Sequence, residues 1–193
     1  MDTTHVHDHS EEALLADVAA GHSTAFDRLY GLYAQRIFQY IRTFVSDTTL
    51  AEEVVGDTMM AVWRGAGTFS RTSRVSTWIF GIARHKALDA IRRIGKHQRD
   101  IELDQVAEMP HTGASPIDEV QRSQTAALTQ QALRGLSRDH QEILRLVFYE
   151  ELPYDEIAAL LAIPENTVKT RVYYAKQQLK QQFDRLGQKE SLR

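Results

Sequence analysis

The sequence predicts an all-α protein of two small helical domains joined by a flexible acidic linker. Apolar residues make up 42% of the chain and recur at three- and four-residue steps along most of its 193 residues, which is the spacing of one helix face. Glycine and proline are sparse, with 10 and 4 copies. The exception is 97–117, where Pro110, Gly113 and Pro116 interrupt the pattern and predict the linker.

The linker divides the chain into five parts. They are a head with a short helix (1–22), a first domain (23–96), the linker (97–117), a second domain (118–187) and a tail (188–193). The helices predicted before the linker are Glu11–Ala20 with Ser10 as N-cap and Gly21 as its stop, Ala25–Val45, Leu50–Arg64 after an Asp47 turn, and Thr77–Ile94 with Ser76 as N-cap. The third helix turns an apolar face inward, formed by Val54, Val55, Thr58, Met59 and Val62. No internal repeat is visible.

The second domain ends in the pattern of a helix-turn-helix. One helix runs from near Asp118 to Arg134, another is capped by Ser137, and Leu152–Val172 forms two helices around a tight turn at Pro164. The apolar stripe of the last helix consists of Val168, Val172, Ala175 and Leu179. Such a second helix enters the DNA major groove. An ordinary helical hairpin with a solvated face fits the same pattern and stays open at this point.

Charge is unevenly distributed along the chain. The net charge is −3, which is unusual for a protein that binds DNA unaided, because phosphate neutralisation supplies most non-specific affinity. Residues 65–96, however, carry seven basic side chains against one acid, and 98–119 carry six acids against one arginine. The chain has no cysteine, no apolar run long enough to span a membrane and no signal peptide. We therefore expect a cytoplasmic protein without membrane insertion.

Three segments resemble bacterial sigma factors. Ala51–Arg64 resembles region 2.2, Thr77–Arg93 resembles the helix of regions 2.3 and 2.4, and Pro164–Val172 resembles the region 4.2 signature. Their order, the linker and the small size resemble the extracytoplasmic-function (ECF) group of the sigma-70 family, which keeps only regions 2 and 4. The resemblance covers about Ala25–Lys96 and Ala126–Phe183. Three motifs in the right order are far more specific than one.

The resemblance implies a function and a set of partners. It implies a sigma factor that binds core RNA polymerase and directs promoter-specific initiation, without catalysis of its own and without a cofactor. Region 2 would bind the β′ clamp helices and open the −10 element, and region 4 would bind the β flap and read the −35 element. Promoter DNA and an anti-sigma factor complete the implied partners.

The resemblance also assigns roles to residues. For −35 recognition these are Asn166, Thr167, Lys169, Thr170, Arg171, Tyr173, Tyr174 and Lys176. For −10 recognition and melting they are Phe69, Arg71, Arg74, Trp78, Arg84, His85, Lys86, Arg92 and Arg93. For core polymerase binding they are Glu53, Asp57, Thr58 and Trp63. Melting needs cations for phosphates and aromatic rings for unstacked bases, although Trp78 fits a core anchor equally well.

Three other readings stay open on the sequence alone. A stand-alone helix-turn-helix regulator would need a sensing domain or a dimer helix, and the first half shows neither pattern. A di-metal helical-bundle enzyme would need Glu-x-x-His pairs, but the only one, Glu108 to His111, is interrupted by Pro110. His5, His7 and His9 with Asp8 are either a weak metal site or a disordered head.

Overall fold

The computed structural model describes residues 3–101 and 129–190, and the regular structure in these two ranges is entirely helical. The helices are α1 (Thr3–Ala19), α2 (Ser23–Ile41), α3 (Thr48–Gly65), a 3-10 turn (Ala66–Thr68), α4 (Val75–Ile101), α5 (129–134), α6 (Arg138–Phe148), α7 (Tyr154–Leu161) and α8 (Glu165–Glu190). The all-α prediction is confirmed. Within these ranges, no helix is both long and apolar enough to cross a bilayer. The predicted linker beyond residue 101 and the Glu108–His111 pair lie outside the described residues.

Helices α2 to α4 of the first domain pack around a core rich in aromatic side chains, and the head helix α1 adds Leu14, Leu15 and Val18 to this core. Tyr33 and Tyr40 on α2 and Phe80 on α4 have no exposed surface. The Tyr40 and Phe80 rings meet edge to face, with centroids 5.2 Å apart, a preferred aromatic geometry. Tyr30, on the same helix as Tyr33 and Tyr40, points outward and is 44% exposed. The inward face of α3 is confirmed, since all five predicted residues are buried.

Before the linker, two predicted helix ends agree with the structure and two differ. The Asp47 carboxylate accepts a hydrogen bond from the Leu50 N–H at 2.9 Å, and Gly21, with φ of 88°, follows the end of α1. Ser10 and Ser76 are not N-caps, because α1 begins earlier and α4 begins at Val75. The Trp78 N–H already donates to the carbonyl of Arg74, which starts α4 before Ser76.

Two helices also have different lengths from those predicted. Helix α2 ends at Ile41 rather than Val45, because the Thr43 and Phe44 N–H groups bond three residues back and tighten the last turn. Helix α4 continues to Ile101, so the first five residues of the predicted linker are helical.

The second domain packs α6, α7 and α8 into the predicted helix-turn-helix. Ser137 caps α6 by accepting from the His140 N–H, as the sequence predicted. Ala162, with φ of 54°, is left-handed and reverses the chain between α7 and α8. The predicted stripe of α8 is buried at Val168, Val172 and Ala175. Burial of these side chains leaves the other face of α8 in solvent.

Candidate nucleic-acid interface

The exposed face of α8 is the first candidate DNA surface. Its exposed residues are Asn166, Lys169, Thr170, Tyr173, Tyr174 and Lys176, with Thr167 and Arg171 half-buried at its edges. All eight residues predicted for −35 recognition therefore retain exposed surface on the second helix of a helix-turn-helix. Amide, hydroxyl and basic groups on such a face can bond to base edges and phosphates.

Ion pairs and hydrogen bonds order this face. Lys169 Nζ lies 2.7 Å from a Glu165 carboxylate oxygen, and an Arg171 guanidinium nitrogen lies 3.3 Å from an Asp139 oxygen. Exposed ion pairs of this kind contribute about 0–1 kcal/mol. Replacing them by DNA phosphates therefore costs little.

Two tyrosines give α8 an aromatic character. The Tyr173 and Tyr174 rings are 5.4 Å apart and nearly perpendicular, and both are more than half exposed. Gln177 donates a hydrogen bond to the Tyr173 hydroxyl at 2.6 Å. Lys176 lies over the ring of Phe148 at 4.8 Å. Exposed rings held by neighbours in this way suit contact with thymine methyl groups or with sugars.

The loop before α4 and the first turns of α4 form the second candidate surface. Phe69 and Trp78 pack with ring centroids 5.6 Å apart, and both are half-buried. An added Cβ on Gly65 would lie 3.4 Å from the Trp78 ring. Trp78 therefore packs on the edge of the core and keeps an accessible part. Arg71 in this loop is exposed and adopts a left-handed backbone with φ of 58°.

The basic side chains of α4 lie in different environments. His85 and Arg92 are exposed and both pair with Asp89, at 3.1 and 3.0 Å. Arg93 lies 3.7 Å from Glu53 on α3, and Lys86 is half-buried. These four residues remain on the outside of the first domain.

Arg84 has a different environment from the other basic residues of α4. Its Nε donates to the Glu142 carboxylate of α6 at 2.9 Å. In this arrangement, Arg84 therefore contacts the second domain rather than open solvent.

The residues predicted to bind polymerase divide into exposed and buried ones. Glu53 and Asp57 are exposed on α3, and Trp63 is half-buried with its ring edge-on to Phe26 at 5.1 Å. Thr58 has no exposed surface, and its hydroxyl donates to the carbonyl of Val54. Burial excludes Thr58 from a contact surface, so that prediction is corrected.

Two buried carboxylates join the domains, and sequence reasoning missed both. Glu142 accepts hydrogen bonds from the Tyr40 hydroxyl at 2.7 Å and from Arg84. Glu150 accepts from Arg36 at 2.9 Å and from Arg145 at 3.0 Å. The only signal in the sequence was that each acid lies four residues from Leu146, which is buried.

The pKa shifts of two side chains that donate to these carboxylates, Tyr40 and Arg36, agree with these contacts. Burial, followed by the Glu142 carboxylate, raises the pKa of Tyr40 well above its ordinary value. Burial lowers the pKa of Arg36, but the Glu150 carboxylate and Tyr33 raise it by more, so the net pKa is raised. Tyr40 therefore remains a neutral donor and Arg36 remains a cation at neutral pH.

A third carboxylate crosses between the domains at the start of α4. Glu156 on α7 accepts hydrogen bonds from the Arg74 N–H at 3.2 Å and from the Thr77 hydroxyl. The Arg74 guanidinium donates to the carbonyl of Glu151 at 3.4 Å. Among the described side chains no acidic or histidine cluster is arranged to hold a metal ion, and the His5–His9 side chains lie outside that set.

Comparison with known proteins matches both domains separately. The family model for Sigma-70 region 2 matches residues 29–97, and the one for Sigma-70, region 4 matches residues 127–179. The ECF RNA polymerase sigma factor SigL of Mycobacterium tuberculosis is 28% identical over 176 residues, which span 91% of this chain and 98% of SigL. The ECF RNA polymerase sigma factor RpoE of Cereibacter sphaeroides is 29% identical over 178 residues, which span 91% of this chain and 90% of that protein.

Solved structures share the fold. The sigma factor RpoE of Bartonella quintana, in complex with the anti-sigma factor NepR, has a TM-score of 0.63 at 23% identity and covers 82% of this chain and 96% of that one. CnrH in complex with the cytosolic domain of CnrY has a TM-score of 0.61 at 23% identity, covering 90% and 96%.

The fold and the exposed α8 define a two-domain helical protein with a DNA-binding helix-turn-helix in its second domain. The chain belongs to the sigma-70 family of RNA polymerase sigma factors and to its ECF group. Its two matched segments are called region 2 and region 4 below.

Proposed function

We propose that this chain directs core RNA polymerase to its own set of promoters, by reading the −35 element with α8 and opening the −10 element with region 2. The observation that carries the proposal is that both sigma-70 regions match in order. The region 4 match includes most of α8, whose outer face is exposed. The chain acts in the cytoplasm, uses no cofactor and catalyses nothing, since the polymerase forms the phosphodiester bonds.

The −35 element is assigned to the exposed face of α8. Asn166 lies in the first turn, where recognition helices contact base edges, and an asparagine amide can pair with adenine. Lys169 and Arg171 suit phosphates or guanine, and Thr170 and Tyr173 suit apolar contact with thymine. The contacts within this face are weak and exposed, which supports their exchange for DNA.

The −10 element is assigned to the Phe69–Trp78 pair and the basic side chains around it. Flipping a base out of the duplex requires a platform for the base and cations for the strand. The half-buried rings of Phe69 and Trp78 offer the platform. Arg71, Arg74 and the outer face of α4 supply the charge.

We assign the binding of core polymerase to α3 of region 2 and to region 4. Glu53, Asp57 and Trp63 form the accessible part of the proposed site for the β′ clamp helices, while region 4 would contact the β flap. An anti-sigma factor is a further proposed partner, because the sigma factor RpoE of Bartonella quintana was solved with one.

Run-off transcription tests the proposal. The purified chain is added to core RNA polymerase on a library of genomic fragments, and transcript starts are sequenced. We expect defined starts that appear only with the chain and share two upstream elements. The matched control is the same chain with Asn166→Ala and Lys169→Ala, which should retain polymerase binding and lose most of these starts. Absence of chain-dependent starts would overturn the proposal.

A further inference from the structure

Helix α7 of region 4 covers the start of α4 in region 2. Val75, Ser76 and Thr77 are 0%, 8% and 7% exposed. The Arg74 N–H and the Thr77 hydroxyl both donate to the same oxygen of Glu156. A carboxylate from region 4 therefore lies on the first turn of α4.

This position overlaps the surface proposed for the −10 strand. The first N–H groups of a helix carry partial positive charge and favour anions, including phosphates. Glu156 uses two donors that a strand phosphate could otherwise use. The carbonyl of Glu151, just before α7, also accepts from the Arg74 guanidinium. A strand that reaches the first turn of α4 therefore meets α7 and the chain that leads into it.

A second acid lies near the same loop. A Glu12 oxygen on α1 lies 3.9 Å from Arg71 Nε, and both side chains are solvent-accessible. An exposed pair at this distance is weak. The loop and the helix start that follows it are therefore contacted by two acids from outside region 2.

The buried carboxylates fix the placement of α7. Glu142 is held by Tyr40 and Arg84, and Glu150 is held by Arg36. Burying charged groups is unfavourable unless every polar atom is paired. In the described part of the chain no buried side-chain nitrogen or oxygen lacks a hydrogen-bond partner, so the interface satisfies this condition.

We propose that this closed arrangement is self-inhibitory, because α7, anchored by Glu156 on the first turn of α4, competes with single-stranded −10 DNA for the same surface. The inference rests on the assignment of the −10 element in the proposed function. The strand binds only the open fraction of the chain, so closure reduces its apparent affinity by that fraction. Promoter opening then requires that region 4 first leave region 2.

Glu156→Ala tests the competition, with Asp155→Ala as its matched control. Both changes remove one acid from the first turn of α7. Asp155 is exposed, whereas Glu156 is half-buried and accepts the two hydrogen bonds from region 2. The probe is a short, fluorescein-labelled single-stranded DNA of mixed sequence, and its anisotropy is followed with the full chain in the absence of polymerase.

The two variants are expected to differ clearly. Removal of a charge-assisted hydrogen bond changes an equilibrium by about tenfold, so Glu156→Ala should bind the strand about tenfold more tightly than the unaltered chain. Asp155→Ala should stay within about twofold, as for an exposed acid. Equal affinities for Glu156→Ala and the unaltered chain would overturn the inference.

Energy transfer between the domains gives an independent readout. The chain has no cysteine, so Asp27→Cys on α2 and Lys180→Cys on α8 provide two labelling sites. Transfer should fall in Glu156→Ala, stay unchanged in Asp155→Ala, and fall in the otherwise unaltered chain when the single strand is added. Transfer that is unaffected by both Glu156→Ala and the strand would contradict competition.

The run-off assay separates this inference from the proposed function. Defined promoters used by the unaltered chain, together with unchanged strand affinity in Glu156→Ala, would reject self-inhibition and leave the proposed function intact. Absence of promoter-specific starts would reject both.

Discussion

The two proposed DNA surfaces differ in accessibility. The −35 surface on α8 is open to solvent, and the ion pairs and hydrogen bonds across it are solvent-accessible. The −10 surface is partly covered, because α7 lies on the first turn of α4 and Glu142 holds Arg84. The two helices of the helix-turn-helix thus differ, since α8 is proposed to read DNA and α7 contacts region 2. Availability of the −10 surface is therefore linked to the position of region 4.

Charge differs between the parts of the chain, and the net charge of −3 arises mainly outside the two domains, because residues 1–22 carry five acids and 97–117 carry four, against one arginine in both ranges together. Across the interface, Glu142 and Glu150 of region 4 bond to the side chains of Arg84 and Arg36, whereas Glu156 accepts from the backbone N–H of Arg74. The interface therefore neutralises two arginines of the basic first domain. A chain that binds DNA together with polymerase does not need to be basic as a whole.

The largest expected effect is on the open −35 surface. The combined change Asn166→Ala, Lys169→Ala and Tyr173→Ala removes contacts worth about 1–3 kcal/mol for each good base pairing. Run-off initiation at a cognate promoter should fall about thirtyfold or more, towards the level on a template with a scrambled −35 element. Gln181→Ala, exposed farther along α8, is the control, and an equal reduction in the control would place the reading face elsewhere.

The next largest effect is expected at the buried contacts that hold region 4 against region 2. Glu142→Ala leaves Tyr40 and Arg84 without their acceptor, which costs about 2–4 kcal/mol while they stay buried. Separation of the domains rehydrates both groups, so interdomain energy transfer should disappear while region 2 remains helical by circular dichroism. Glu52→Ala, an exposed acid on α3, should change neither signal. Persistent transfer in Glu142→Ala would show that the buried network does not hold the domains.

A smaller effect is expected at the aromatic pair of the covered surface. Base–aromatic stacking contributes about 1–3 kcal/mol per base, so Phe69→Ala should reduce promoter opening about tenfold. Permanganate reactivity of unpaired thymines in the polymerase complex measures opening directly. Phe183→Ala, which removes an exposed ring near the end of α8, should open promoters normally. Normal opening in Phe69→Ala would remove this ring from the −10 site.

The smallest effect is on the salt dependence of promoter binding. Lys169→Ala and Arg171→Ala should each weaken binding and lower the log–log slope against salt by about 0.9 for every phosphate that the substitution leaves unneutralised. Arg28→Ala, an exposed arginine on α2, should leave the slope unchanged. Unchanged slopes in both α8 variants would place these two residues off the phosphate backbone.

Local patterns were sufficient to predict most of the fold. The inward face of α3, the Asp47 and Ser137 caps and the stripe of α8 all depend on neighbours within a few residues. The caps at Ser10 and Ser76 were wrong because a serine before an apolar run fits a cap whether or not the helix starts earlier.

Interactions between distant segments could not be predicted in this way. Glu142, Glu150 and Glu156 read as solvated acids of the second domain, and their partners in region 2 lie 58–114 residues away. The burial of Tyr40 and Phe80 was not predicted for a similar reason, since it depends on how α2 crosses α4. The −10 loop and the reading face of α8 could be proposed because sequence motifs and family resemblance depend on neighbouring residues, whereas the contact of α7 with α4 depends on how the whole chain folds.

Energy transfer within the initiating holoenzyme tests the central claim most directly. The chain labelled at Asp27→Cys and Lys180→Cys is measured free, then with core polymerase on a promoter that yields run-off transcripts. The account predicts high transfer in the free chain and a clear fall in the transcribing complex, because region 4 must leave the first turn of α4. Equally high transfer in a complex that makes promoter-specific transcripts would contradict it.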